Sequence, residues 1–210
     1  RFPYSAFWEY RLPEKPGLIQ EKNYSIVNLG SVTQDNIDSI MNSAIKTNSI
    51  IFDLRNYPMI THFDLAKYLS PVIKPFYRAY EPSLIDIGIF KPAVVEKITI
   101  ENGKKFNGKI IVIVNEFTQS RGEFLSMYLQ SLPNTIIIGS QTAGTDGNLT
   151  QIKLPGNIYG GFTNIIVEYP DGTQTQKNGI LIDHLVKITE DDIISNKDPY
   201  LEFAKEMANR

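Results

Sequence analysis

The sequence has 210 residues, a formal net charge of −2 and 42% hydrophobic residues. That length suits one large domain, or one domain with a small appendage, and so even a charge balance excludes the electrostatic footprint of a nucleic-acid or anionic-membrane partner. With no cysteine, disulfides, thiolate metal sites and a cysteine nucleophile are excluded.

No apolar run approaches the roughly 18 residues of a membrane span. His62 and His184 are too few and too far apart for a metal site, so no cofactor is expected. The chain opens at Arg1 without an initiator Met or a signal-like segment, which reads as a mature or excised form. Absence of cysteine leans towards an extracytoplasmic location. The sequence carries no signal for oligomeric state.

Residues 1–20 are rich in aromatics and proline (Phe2, Pro3, Tyr4, Phe7, Trp8, Tyr10, Pro13, Pro16) without a clean period. They read as a packed arm or the remnant of an upstream module, with residues 21–210 as the core. A strand is expected over Tyr24–Leu29. A helix follows over Thr33–Thr47, where Ile37, Ile40, Met41, Ala44 and Ile45 share a face. Ser49–Leu54 reads as a buried strand ending in the turn Arg55-Asn56-Tyr57-Pro58, and Phe63–Leu69 as a short helix. Residues 71–108 carry four prolines and read as irregular, with a hairpin near Val94–Phe106. Then come a strand at Lys109–Val114, a helix at Arg121–Ser131 and a strand at Thr135–Ile138. A Gly/Thr loop spans Gly139–Gly147. Strands at Leu149–Leu154, Phe162–Tyr169 and Leu185–Ile188 precede a C-terminal helix at Asp198–Ala208. The β-α-β-α-β order implies an α/β fold with a right-handed layer.

Ser120 lies directly between the strand Lys109–Val114 and the helix that begins at Arg121. A strand's carboxyl end meeting a helix N-terminus is where an α/β sheet exposes its chemistry. Helix N-terminal amides can stabilise developing negative charge there. The plainer reading is a helix cap, since Glu123 three residues on completes a capping box.

Several segments, taken in order, carry a family resemblance. Asp53-Leu54-Arg55-Asn56-Tyr57-Pro58-Met59-Ile60 resembles a D-L-R-x-N-P-G-G turn. Asn115-Glu116 with Thr118-Gln119-Ser120-Arg121-Gly122-Glu123 resembles N-E-x-S-A-S-A-S-E. Ile138-Gly139-Ser140-Gln141-Thr142-Ala143-Gly144 resembles I-G-E-x-T-x-G. Tyr169-Pro170-Asp171-Gly172, Asn178-Gly179-Ile180-Leu181-Ile182-Asp183 and Asp198-Pro199-Tyr200-Leu201 resemble Y-x-x-P-x-G, G-I-x-P-D and D-x-x-L. Together, over roughly residues 24–208, they resemble the tail-specific (C-terminal processing) peptidases and the related tricorn core proteases. The resemblance implies a crotonase/ClpP-like α/β core with mixed sheet layers and flanking helices. It implies a serine-type peptidase acting on peptide or protein substrates, with Ser120 as acyl-enzyme nucleophile. The oxyanion hole would be the backbone amides of Arg121 and of Met59 or Ile60.

The general base departs from the family. Thr142-Ala143-Gly144-Thr145-Asp146-Gly147 stands where the tail-specific enzymes have T-F-G-K-G, without the lysine. Asn28 stands where tricorn-type enzymes have histidine, and Gln176 where they have glutamate. A serine hydroxyl needs a base within hydrogen-bond reach. Asp146 is the nearest substitute, although a carboxylate of ordinary pKa near 4 is a poor base for serine and Asp-Gly is also a plain turn. Lys153 and Lys177 are donors from neighbouring strands, or solvated strand residues. His62, just beyond the Met59-Ile60 turn, is a second base candidate, or simply begins its helix. His184 reads as structural. Asp53 and Arg55 are expected to lock their turn, and Tyr57 and Thr145 to line the substrate groove, with Phe117 beside it. Ser120 should face a cleft walled by residues 55–60 and 142–148. The alternative to a peptidase is a catalytically silent peptide- or ligand-binding module on the same fold. An acyl-CoA-type enzyme on a related core would need acid/base carboxylates beside an oxyanion hole.

Overall fold

A computed structural model of the chain describes residues 15–95 and 97–210. In chain order its elements are β1 (Leu18–Gln20), β2 (Tyr24–Asn28), α1 (Ile37–Ala44), β3 (Ser49–Asp53), α2 (His62–Leu69), β4 (Val72–Ile73), β5 (Arg78–Pro82), β6 (Phe90–Pro92), β7 (Ile98–Thr99), β8 (Lys109–Val114), α3 (Arg121–Gln130), β9 (Thr135–Gly139), β10 (Leu149–Leu154), β11 (Ile158–Thr163), β12 (Ile166–Glu168), β13 (His184–Leu185), α4 (Glu190–Ile194) and α5 (Pro199–Asn209).

The central sheet has the order β1-β2-β3-β8-β9-β13. It is parallel from β2 to β13, and only β1 runs antiparallel, against β2. Parallel strands covered on both faces read as continuous apolar runs, which is the character of β3 and β8. Their side chains alternate between two cores. Val27, Ile50, Phe52, Val112, Val114 and Ile137 meet the buried faces of α1, α2 and α3. Ile26, Ile51, Ile111, Ile113 and Ile138 face Tyr200, Ala204 and Ala208 of α5. Full burial of each such Ile or Val contributes about 1.5–3 kcal/mol. The fold is therefore α/β, a mixed sheet with flanking helices.

Several expectations change, among them the strand expected over Leu185–Ile188, which is the two-residue β13. Leu18–Gln20, assigned to the arm, forms the edge strand β1; residues 1–14 of that arm lie outside the described residues. Among the described residues no hairpin joins residues 94–106: β5 pairs with β6 and β12, and β4 with β7. Pro71, Pro75, Pro82 and Pro92 keep the strands of this stretch short. The strand expected over Phe162–Tyr169 divides near Asn164, and β12 leaves the β10–β11 ribbon to pair with β5. α1 starts at Ile37, because the Thr33 amide is taken by Asn36 Oδ1 at 2.8 Å in a preceding turn.

Candidate active site

The loop after β8 is fixed by short-range hydrogen bonds. Thr118 Oγ1 accepts from the Asn115 amide at 3.0 Å and donates to the Leu54 carbonyl at 3.0 Å. This ties the loop to the end of β3. Ser120 then caps α3 with φ +47° and ψ −115°, a conformation L residues rarely adopt and one that costs about 1–3 kcal/mol. A strained strand-to-helix turn carrying a serine is the geometry that lifts a nucleophile clear of its backbone.

Glu123 is fully buried and gathers the surrounding loops. Its Oε2 accepts from the amides of Ser120 at 3.0 Å and Thr145 at 2.9 Å. Its Oε1 accepts from Thr142 Oγ1 at 2.6 Å and the Gly144 amide at 2.7 Å. Gly144 sits at φ +67°, where a Cβ would come within 2.8 Å of the Lys177 backbone. The Ala143 amide adds a bond to the Thr118 carbonyl at 3.0 Å. Residues 142–145 therefore lie against the first turn of α3.

The turn after β3 reaches the same place. Arg121 Nη1 donates to the carbonyls of Pro58 at 3.4 Å and Met59 at 3.3 Å, and the guanidinium stands 5.8 Å from the centre of the Tyr57 ring. Met59 is exposed and Ile60 fully buried. The Arg121 amide opens α3, where the first amides have no intrahelical acceptor. Arg55 makes a two-point contact to Asp53, through Nε to Oδ1 at 2.9 Å and Nη2 to Oδ2 at 2.7 Å, the lock expected of that turn.

Asp146 follows Thr145 and is buried at 5% exposure. Oδ1 accepts from the Gly147 amide at 2.8 Å, while Oδ2 is buried without a hydrogen-bond partner among the described residues. Burial, with the nearby Glu123 charge adding to it against the pull of the Gly147 amide, lifts the carboxyl from 3.8 to about 7. The objection that this carboxylate is too weak a base assumed an ordinary value; in this setting it titrates near neutrality. Gln176 Nε2 donates to the carbonyls of Asp146 at 2.9 Å and Ile165 at 2.7 Å, holding the loop from behind.

His62 lies elsewhere in character. Its ring is 4.0 Å from Phe63 and 5.4 Å from both Phe76 and Phe124, centre to centre. Burial in this cluster holds the imidazole down to about 4 despite the nearby Asp64. It helps line a cavity of about 380 Å³ with Phe63, Ile73, Phe76, Tyr77 and Val94. Among the described residues no hydrogen bond joins it to Ser120; it approaches α3 through the rings of Phe124 and Tyr128. Lys153 lies on β10 with its ammonium 5.9 Å from the Tyr159 ring centre, and the Lys177 amide donates to the Gly144 carbonyl at 2.7 Å. His184 pairs in β13 with Ile138 and meets Phe203, a structural setting.

Residues 120, 121, 59 and 145 thus surround the first turn of α3, with Asp146 adjoining Thr145 and Tyr57 beneath Arg121. Two contributors escaped sequence reasoning. Glu123 was legible as a capping box, yet its bonds to residues 142–145 need the loop's position. Gln176 has no sequence signal beyond standing where tricorn-type enzymes have glutamate.

A parallel sheet whose buried strand feeds a strained serine turn, with loops from β3 and β9 folded over it, defines the candidate site. The family model of peptidase family S41 matches residues 67–186, and the chain belongs to that family. No curated protein matches it. Among solved structures it is similar to a candidate peptidase from Parabacteroides merdae, at TM-score 0.77 and 19% identity over 97% of this chain and 68% of that one. Mature CPAF in complex with lactacystin aligns at TM-score 0.74 and 12% identity over 91% of this chain and 53% of CPAF. The photosystem II D1 C-terminal processing protease aligns at TM-score 0.55 and 15% identity over 78% of this chain and 42% of its own. The chain thus spans about half the length of the latter two proteins.

Proposed function

We propose that this chain is a serine peptidase in which Ser120 is the nucleophile and Asp146 the general base. One observation carries the reading. The buried, unpartnered Oδ2 belongs to a carboxyl titrating at about 7, on a loop whose Thr145 amide shares Glu123 Oε2 with the Ser120 amide. A base matched to neutral pH takes a proton most effectively. In the reaction, Asp146 takes the hydroxyl proton as Ser120 Oγ attacks the peptide carbonyl. The amides of Arg121 and of Met59 or Ile60 receive the oxyanion. The Asp146 proton passes to the leaving amine, the C–N bond breaks and an acyl-enzyme remains. Water, deprotonated by the same carboxylate, then releases the acyl product. Substrates are peptides or unstructured proteins, with Tyr57 and Thr145 beside the scissile bond and His62 in the wall of the neighbouring cavity rather than in the proton path.

We read residues 21–210, joined by the edge strand Leu18–Gln20, as the catalytic core on a crotonase/ClpP-like plan, and the location as extracytoplasmic. A second reading has its own support: among the described residues no base side chain is hydrogen-bonded to the Ser120 hydroxyl. On that reading the chain is a silent peptide-binding module.

The test is digestion of an unstructured protein by wild type and Ser120→Ala. Slow cleavage by wild type and none by the variant is expected. Equal cleavage by both overturns the nucleophile assignment. An inert wild type whose micromolar peptide binding survives Ser120→Ala establishes the module.

A further inference from the structure

We propose that Glu123 is a positioning residue: its one buried carboxylate joins the nucleophile turn to the base loop and sets Ser120 and Asp146 in register. The proposal rests on the serine-peptidase reading above and names how that site is assembled.

The geometry is specific. The two loops come from different strand ends, and each depends on a different part of the chain. The Ser120 turn follows β8; residues 142–145 follow β9. Glu123 Oε2 is shared between one amide of each, Ser120 and Thr145, at 3.0 and 2.9 Å. Oε1 takes the Gly144 amide and the Thr142 hydroxyl. Three of the five donors, with Thr145 Oγ1 on Oε2 at 3.5 Å as the fifth, are backbone N–H groups, which cannot accept. Both oxygens must therefore act as acceptors, and a side-chain amide in place of the carboxylate would set an NH₂ against a backbone donor whichever way it turned. The group is fully buried, and among the described residues its hydrogen-bond partners are backbone amides and threonine hydroxyls, with no cation. A simple capping box would need only the Ser120 bond. The remaining four bonds all go to the loop that carries Asp146.

The same position gives Glu123 an electrostatic effect. The titratable groups that feel its charge are Asp146 and Tyr169, and those facing Asp146 are Glu123 and Tyr77. Glu123 is thus the acidic neighbour that helps hold Asp146 protonated into the neutral range.

The test uses the full chain, with Glu123→Gln as first variant and Thr142→Val, which removes one donor to Glu123 and the acceptor of the Ile180 amide, as the second. Two readouts are taken. The first is the rate of Ser120 acylation by a fluorophosphonate probe across pH. The second is hydrogen exchange at the Ser120, Gly144 and Thr145 amides. In Glu123→Gln acylation should slow about 100-fold, the cost of a misplacement near 1 Å, and its acidic limb should move to lower pH as Asp146 loses the adjacent charge. Amides in both loops should lose protection together. Thr142→Val should show the same joint loss of protection, smaller in size, and decides the matter if Glu123→Gln does not fold. Unchanged acylation and pH limb, or loosening confined to one loop, overturns the proposal. If wild type is not acylated at all, the peptidase reading fails by itself, and the exchange data alone decide whether Glu123 couples the loops.

Discussion

Arg55 grips both carboxylate oxygens of Asp198, through Nη1 and Nη2 at 2.9 Å each, across 143 positions of sequence. Asp198 also caps α5 by accepting from the Leu201 amide at 3.1 Å, and Lys15 stands 3.5 Å from both Asp198 and Asp53. The network locks the end of β3, and with it the turn that reaches Met59, to the helix covering the opposite face of the sheet. Burial alone would disfavour the Arg55 cation, but Asp53 and Asp198 outweigh it and raise its pKa.

Replacing Asp198 by Ala should destabilise the fold by about 2 kcal/mol, combining a lost helix cap and a lost charge-assisted pair. Asp53 keeps Arg55 paired, so the larger cost of an orphaned buried cation is avoided. Urea midpoints of wild type and variant measure the difference.

The same residue sets a pH limit. Burial would raise the Asp198 carboxyl, yet Arg55 and the Leu201 amide bring it below the ordinary value. A depressed carboxyl contributes stability above its unfolded pKa, near 3.9, and loses it as pH falls through the lower folded value. Wild type should therefore lose stability below about pH 4, and Asp198→Ala should lose less over that interval.

Strain at Ser120 predicts an opposite response to two small substitutions. Glycine accepts φ +47° freely, whereas alanine does not. Ser120→Gly should gain about 1 kcal/mol over Ser120→Ala in chemical denaturation, while both abolish acylation. Equal midpoints would show that the turn relaxes without cost.

Asp146 works against stability at neutral pH. Its folded carboxyl titrates at about 7, against 3.8 ordinarily. The native state thus binds the proton more tightly than the unfolded chain, so stability falls as pH rises between those values. The full displacement corresponds to about 4 kcal/mol, an upper bound because the site can relax. Asp146→Asn should match wild type near pH 4 and exceed it increasingly up to pH 7, with a constant margin above. Thermal melts across pH read this directly.

Much of this architecture is legible in the residues. Ile50, Ile51, Phe52 and Ile110–Val114 announce strands buried on both faces because a parallel layer leaves no polar side. The order of the Asp53, Ser120, Thr142 and Gly179 motifs assembles the three loops. What sequence cannot carry is the consequence of distance. Glu123 looks like any N3 glutamate until residues 142–145 are seen bonded to it. Asp146 looks like a turn residue until burial and Glu123 lift its carboxyl. β1 hides among prolines and aromatics because an edge strand of three residues has no period to detect.

The most direct measurement is the pH dependence of Ser120 acylation by a serine-reactive phosphonate in wild type and Asp146→Asn. Wild-type labelling should rise with pH to half its maximum near 7, as Asp146 ionises. Asp146→Asn should be slower by about 10²–10⁴, the usual worth of a general base, and show no inflection there. Labelling of Asp146→Asn at the wild-type rate, with the same inflection, would contradict the assignment of Asp146 as the base.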